Sequence, residues 1–392
     1  MTRFMLTFLM LLCLATASQA MAASVTEEQR EQLRALGIEG EITPEMIEAM
    51  EEVVFSSERS VEERLRAIGQ LSGLGDLPES ERMSSTFCIW DIAGRSGPVY
   101  QAARDEHSRA QEFGLDVQLE VYTNENVMVE ELLAGKCDAA LMSGLRAREF
   151  NSWTGTIDAI GAVPDQDHMR TLLQVATHPS NAPQMREGNY VVLGVFPGGA
   201  AHVFVNDREI NSLAHAAGKR VAVLEHDPMQ ARMIAGIGAT PVPTDIAHAP
   251  GKFNDGVVDV LAAPLMAYEI MELYRGMEPD GGIIDYPLTQ LTMQLIGRRD
   301  RFPQEVAQIF REATFERFDD IMEFINREAE RVPEHWMVDI PEEDRQEYEV
   351  MMQEARVTLR EMDYYDEDML NLQRRIRCRY DPERYECSDP QE

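Results

Sequence analysis

From Thr86 the pattern of apolar and polar positions switches regularly between a strand period and a helix period. FCIWDIAG (87–94) is an apolar run of buried-strand type, and GPVYQAARDEHSRAQEFG (97–114) has helical spacing closed by Gly114. LDVQLEVYTN (115–124) alternates with period two, NVMVEELLAGK (126–136) is a helix stopped by glycine, and CDAALMSG (137–144) is a third strand. A βαβαβ run of this kind predicts right-handed crossovers and a parallel sheet with its first strand in the middle. Residues 151–193 carry two weaker helical turns before the strand VVLGVF (191–196). A glycine-rich break, FPGGAA, then leads into HVFV (202–205), the linker INSLAHAAGK and the strand RVAVL (220–224). A helix, GATPVP and a second helix ending in GVVDVLAAP (256–264) follow. YPLTQLTMQLIGRRDRFPQEVAQIFREATF (286–315) reads as a strand, a polar turn and a long helix. Beyond about residue 305 the chain is helical and acidic, interrupted at Pro333, Trp336 and Pro341. MMQEARVTLREMDYY (351–365) has helical spacing and should lie on the body, with the basic island RRIRCRY (374–380) neutralising acidic helices.

Before Thr86, residues 23–85 form a helical N-terminal extension. Thr43–Pro44 reads as an N-cap with proline at the first helical position, and Ser60 with Glu63 as a capping box. GQLSGLGDLPES (69–80) breaks the pattern as a linker. At the start, Arg3 precedes the apolar run FMLTFLMLLCLATA, and small residues follow through Ala20 and Ala22. Residues 1–22 thus read as a secretory signal peptide, with a core shorter than the ~20 residues a membrane anchor needs. The expected location is the periplasm.

Export changes the reading of the cysteines. Cys13 leaves with the leader, and Cys88, Cys137, Cys378 and Cys387 remain, an even set with three possible connectivities. Cys88 and Cys137 open two strands expected side by side, and Cys378 and Cys387 close a short loop, so the expected disulfides are Cys88–Cys137 and Cys378–Cys387. No CxxC or HxxxH spacing supports a metal site instead, and no cofactor is expected. A net charge of −33 argues against nucleic acid and against anionic membrane, and suits solubility where counterions screen repulsion. No later segment is long and apolar enough for direct membrane insertion.

The order of elements over 194–264, the LxxGxxDxA pattern in LLAGKCDAALMSG (132–144), and RFPQEVAQIFREA (301–313) together resemble periplasmic solute-binding proteins of the TRAP-transporter type over about residues 86–320. The resemblance implies an α/β, two-lobe periplasmic binding protein type II-like fold with parallel-rich sheets, carrying helical N- and C-terminal extensions. Lobe 1 would span 86–200 and be completed by about 290–320, lobe 2 would span 201–289, and 305–392 would be the acidic helical C-terminal region. Two segments crossing between lobes would form a hinge. The implied function is capture of a small molecule in an interlobe cleft and delivery to a membrane permease. In that family an arginine near the GG…H position, a second after the GK and an asparagine further on grip the ligand carboxylate. Here those positions hold Ala200 and Ala201, Ala222, and Ala263. Because arginine's fork matches a carboxylate in a way alanine cannot, the ligand is expected to be larger or less anionic than a dicarboxylate.

Ligands of open α/β sheets bind beyond the carboxyl ends of strands, which directs attention to four turns. The first holds Arg95 and Ser96 in GRSGP, an anion-binding turn or an ordinary strand-to-helix loop. The second holds Ser143, Arg146 and Arg148. The third holds Glu225, His226 and Asp227, which either bind a cation or amine or, with Asp227 before Pro228, start a helix. The fourth holds Arg298 with Arg299, which also reads as a surface pair. Trp153 suits ligand stacking or core packing equally. No GxSxG, P-loop or HExxH motif is present, and His202, His226 and His248 are scattered over turns, so a binding protein is expected rather than an enzyme. The alternative is a periplasmic scaffold or partner-binding protein that kept the fold and lost transport, using its helical ends as the working surface.

Overall fold

The computed structural model describes residues 44–73, 84–112 and 116–392. The leader, the Thr43 cap, the Gly114 stop and most of the 69–80 linker lie outside the described residues. The chain forms two compact units. The first contains the described residues up to 141 with 189–193 and 295–313, and the second contains 142–188, 194–294 and 314–392.

In the first unit, helices α1 (Pro44–Phe55) and α2 (Val61–Gly73) form a hairpin. Ser60 and Glu63 make the reciprocal capping box, Ser60 N donating to Glu63 Oε2 at 3.0 Å and Glu63 N to Ser60 Oγ at 3.2 Å. Strand β1 (Ser84–Trp90) is followed by α3 (Pro98–Glu112), β2 (Asp116–Tyr122), α4 (Glu125–Leu133) and β3 (Ala139–Ser143). β1 lies between β2 and β3 and pairs parallel with both, with Cys88 opposite Ala140. Cys137, three residues before Ala140, comes within 5.8 Å of Cys88 between Cα atoms, and the two form a disulfide, as do Cys378 and Cys387. Buried Arg64 donates from Nε to Val54 O at 3.1 Å and pairs through Nη1 with Glu312 at 2.6 Å, tying the hairpin to the helix that contains Glu312.

The second unit holds α5 (Gln166–Ala176), β4 (Tyr190–Val205), β5 (Arg220–Leu224), α6 (Pro228–Gly236), β6 (Thr240–Thr244), α7 (Ala249–Asn254), β7 (Val260–Pro264) and β8 (Gly282–Arg298). Strands β4 and β8 each contribute residues to both units. β7 runs antiparallel to β4, with Val205 opposite Val260, while β5 is parallel to both β6 and β7. The glycine-rich stretch expected as a break is instead the middle of one 16-residue strand. Gly199 has φ +86, which glycine adopts freely, and a Cβ on Gly198 would lie 3.1 Å from Leu291 O. GVVDVLAAP ends as strand β7 and not as a helix.

After β8 come α8 (Gln304–Glu316) and α9 (Phe318–Ala329), then α10 (Glu342–Glu361) and α11 (Glu367–Tyr380). Residues Met337–Val338 pair parallel with Ile283–Ile284, and Trp336 Nε1 donates to Tyr268 Oη at 3.0 Å. The C-terminal segment is thereby built into the second unit. Arg377 of the RRIRCRY island neutralises acidic groups in the interior. Arg377 is fully buried and bonds Glu386 through Nε at 2.8 Å, Glu392 through Nη2 at 2.7 Å, and Ala162 O through Nη1 at 2.6 Å. Arg356 of α10 joins the same group, bonding Glu392 at 2.6 Å and Ile160 O at 2.8 Å. Two buried arginines meet two buried carboxylates, and each also reaches a carbonyl of the 160–162 turn, so the charge is compensated where it is desolvated.

Two predictions follow from these ties. Closing the 49-residue Cys88–Cys137 loop should contribute about 4 kcal/mol by loop entropy, so Cys88→Ser with Cys137→Ser should lower stability in denaturant unfolding by an amount of that order. For Glu386, burial raises the carboxyl pKa, but hydrogen bonds from Arg377 and Arg384 outweigh it and lower it from 4.5 to about 2. The folded value lies below the unfolded one, so its contribution is present above about pH 4.5 and lost as pH falls toward about 2. The unfolding midpoint should drop across that window, and Glu386→Gln should flatten the drop.

Candidate functional site

The carboxyl ends of β3 and β5, both continuing into the second unit, assemble one polar cluster. At the end of β3, Ser143 caps a helical turn by accepting Arg146 N on Oγ at 3.2 Å. The turn needs glycine next, because a Cβ on Gly144 would sit 2.1 Å from Thr292 Oγ1 and 2.4 Å from Asp158 Oδ2. It projects Arg146 and Arg148. At the end of β5, Asp227 caps α6, accepting Met229 N at 3.1 Å and Gln230 N at 3.2 Å on one oxygen, with Pro228 at the first helical position. Its other oxygen accepts the Tyr364 hydroxyl and lies 3.9 Å from Arg148 Nη1, with only 5% of the Asp227 side chain exposed.

Arg148 is held in place by two rings and a carbonyl. Its guanidinium carbon lies 4.2 Å from the ring centre of Tyr364 and 5.1 Å from that of Tyr365, and Nη2 donates to Gly155 O at 3.0 Å. Arg146 pairs with Glu149 at 2.9 Å. The Nε atoms of Arg146 and Arg148 and Nε2 of His226 are all buried without a hydrogen-bond partner. Burial, then the positive charge of Arg146, pull the His226 pKa down to about 4, with Asp227 opposing, so the ring is neutral at pH 7. Beneath the turn Asp158 is fully buried. Desolvation raises its carboxyl pKa to about 7 even though Thr292 donates from Oγ1 at 2.6 Å and from N at 3.1 Å.

Of the residues singled out from sequence, Ser143, Arg146 and His226 meet here together with Arg148 and Asp227. Glu225 is exposed on the same turn as His226, and Trp153 is buried in the turn Ser152–Gly155. Arg95, Ser96 and Arg298 belong to the first unit. Arg95 is exposed, and Ser96 Oγ donates to Ala93 O at 2.9 Å. The amides of this turn already hold a carboxylate of the chain, since Asp91 accepts Ala93 N at 2.9 Å and Tyr100 N at 3.0 Å. Arg298 pairs with Asp300 at 2.6 Å and donates to Gly135 O at 3.2 Å. Tyr364, Tyr365, Asp158 and Thr292 were not singled out, because nothing local marks a tyrosine 137 residues from its carboxylate partner. Ala263 lies in an apolar cluster with Phe204 and Phe253, and Ala222 packs against it, so these alanines form wall and not grip.

Residues 85–392 match the family described as solute-binding protein AdeT 1/2. The chain belongs to this family. "Probable solute-binding protein AdeT1" of Acinetobacter baumannii is 35% identical over 300 residues, covering 76% of this chain and 99% of the relative. "Probable solute-binding protein AdeT2" of the same organism is 27% identical over 236 residues, covering 59% and 98%. A TRAP periplasmic solute-binding protein from Ralstonia eutropha H16, with bound (S)-2-acetolactate, matches at TM-score 0.63 and 12% identity, covering 76% of this chain and 99% of that one. One from Desulfovibrio salexigens, with bound orotic acid, matches at TM-score 0.58 and 15% identity, with the same coverage. At these identities the structures establish the fold, which is that of TRAP periplasmic solute-binding proteins, and family membership makes solute binding the role of the AdeT-type chain. Among the described residues no helix is long and apolar enough to cross a membrane.

Asp158 supplies a test of the buried floor. Its folded pKa is raised above the unfolded value of 3.8, so its contribution is full below about pH 3.8 and is lost as pH rises through about 7. Asp158→Asn keeps an acceptor for Thr292 but cannot ionise. The unfolding midpoint of the variant relative to the unaltered protein should therefore be higher at pH 8 than at pH 5. A difference independent of pH would contradict the buried, near-neutral carboxyl.

Proposed function

We propose that the protein captures a small molecule in the periplasm and hands it to a membrane permease, and that Arg146, Arg148 and His226 contribute polar contacts to that solute. The observation that carries the site is the three buried, unspent nitrogens. A buried polar atom without a partner costs free energy, and a chain that holds three on two neighbouring turns has a use for them when a ligand supplies the partners. The leader-like start supports the compartment. The alanines at positions 222 and 263 support a solute held differently from a dicarboxylate. Nε2 of neutral His226 donates or accepts according to its tautomer and Arg146 Nε donates, so the cluster suits a solute that presents an acceptor group beside a hydroxyl.

Thermal unfolding of the oxidised protein against a broad metabolite panel tests this. A solute at a hundred times its dissociation constant stabilises by about 2.7 kcal/mol, which moves the midpoint visibly. One chemical class should give a saturable shift, and Arg146→Ala should weaken that solute about tenfold or more while leaving the ligand-free midpoint nearly unchanged. A flat panel would overturn the reading and move the function to a protein partner.

A further inference from the structure

The tyrosine on Asp227 comes from the connector between α10 and α11, far from the turns it fills. Within that connector the two tyrosines differ. Tyr365 is buried in an apolar cluster with Leu359 and Leu370, and its hydroxyl accepts Ile160 N at 3.3 Å. Tyr364 is partly exposed, follows Asp363 at φ +55, and rests against the margin of that cluster, where Met229 and Met233 also pack. Tyr365 is thus the more deeply buried of the two, and Tyr364 lies nearer solvent. The surroundings of the Tyr364 ring are those of a ligand site. Arg148 covers the ring at 4.2 Å, the two methionines are soft and adaptable, and a buried carboxylate accepts the hydroxyl. Unspent Arg146 Nε and His226 Nε2 stand by the same two turns.

We propose that Tyr364 is an internal stand-in for the solute, so that the site takes a hydroxyaromatic molecule, with its hydroxyl on Asp227, its ring on Arg148 and an acceptor group toward Arg146, and that Tyr364 must swing out for it to bind. This rests on the solute-binding role proposed above and names the class of solute. Ligand and tyrosine compete for one carboxylate, which sets the apparent affinity of the unaltered protein below that of the open site by the fraction of time Tyr364 is out. An aromatic ring without a hydroxyl leaves the second oxygen of Asp227 buried without its hydrogen-bond donor, which is the stronger source of discrimination.

The probes are 4-hydroxyphenylacetate and phenylacetate, which differ in that hydroxyl alone. By titration calorimetry, Tyr364→Ala should bind 4-hydroxyphenylacetate at least tenfold more tightly than the unaltered protein does, and at least tenfold more tightly than it binds phenylacetate. Hydrogen exchange on the unaltered protein keeps the question answerable if Tyr364→Ala does not fold. Amides of residues 362–364 should exchange faster under millimolar 4-hydroxyphenylacetate and not under phenylacetate. Equal affinities for the two probes, or unchanged exchange at 362–364, overturn the inference. If the metabolite panel instead yields a solute whose affinity ignores Tyr364→Ala, the inference fails and the solute-binding site stands. If no small molecule binds either protein, the parent reading fails first.

Discussion

Charge taken out of water must be matched, and in this protein that constraint decides where the C-terminal helices lie. Arg377 and Arg356 are desolvated on the second unit and are stable there only because Glu386, Glu392 and the carbonyls of Ile160 and Ala162 converge on them. Removing any one partner leaves an uncompensated buried charge, so the group acts as a single fastening. It fixes α10 and α11 against the 160–162 turn, and the connector between them falls where Tyr364 meets Asp227 and Arg148. The Cys378–Cys387 disulfide brackets the same fastening from within α11 to the segment that carries Glu386.

The cluster at the ends of β3 and β5 is arranged by the same physics with a different outcome. Burial keeps His226 neutral and raises the Asp158 pKa to about 7, while the Arg148 guanidinium lies against the rings of Tyr364 and Tyr365. Polar atoms remain unspent there, where in the Arg377 group every carboxylate is used. The positions at which the TRAP-type resemblance implies carboxylate-gripping residues are occupied by alanine, and Ala222 and Ala263 pack with aromatic side chains. A member of the AdeT 1/2 family can therefore share a fold with proteins that hold orotic acid or acetolactate and still recognise its own solute by other means.

What the sequence disclosed depended on range. Strand order around β1, the two disulfides and the Asp227–Pro228 helix start were legible, because each follows from alternation, spacing or a two-residue signal. The strand through Gly198 and Gly199 was not, since glycines that usually interrupt a strand serve there for close approach to Leu291, at Gly198, and for a positive φ, at Gly199. Arg148 and Asp227 were visible as turn residues beyond strands, whereas their partner Tyr364 was not, because the helix pattern that precedes it says only that the helix packs. RRIRCRY was legible as a basic island that neutralises acidic groups, and only the fold shows that Arg377 does so in the interior.

The central claim is that the C-terminal connector is energetically joined to the β5 turn through the Tyr364–Asp227 contact. A double-mutant cycle with Tyr364→Phe, Asp227→Asn and the pair measures it directly, since asparagine preserves the α6 cap and phenylalanine preserves the ring. The account requires a coupling of about 1 kcal/mol or more in unfolding free energy, as expected for a buried hydrogen bond to a carboxylate. Single-variant effects that add to within about 0.3 kcal/mol would show that the two groups stand side by side without holding one another, and the account would be wrong.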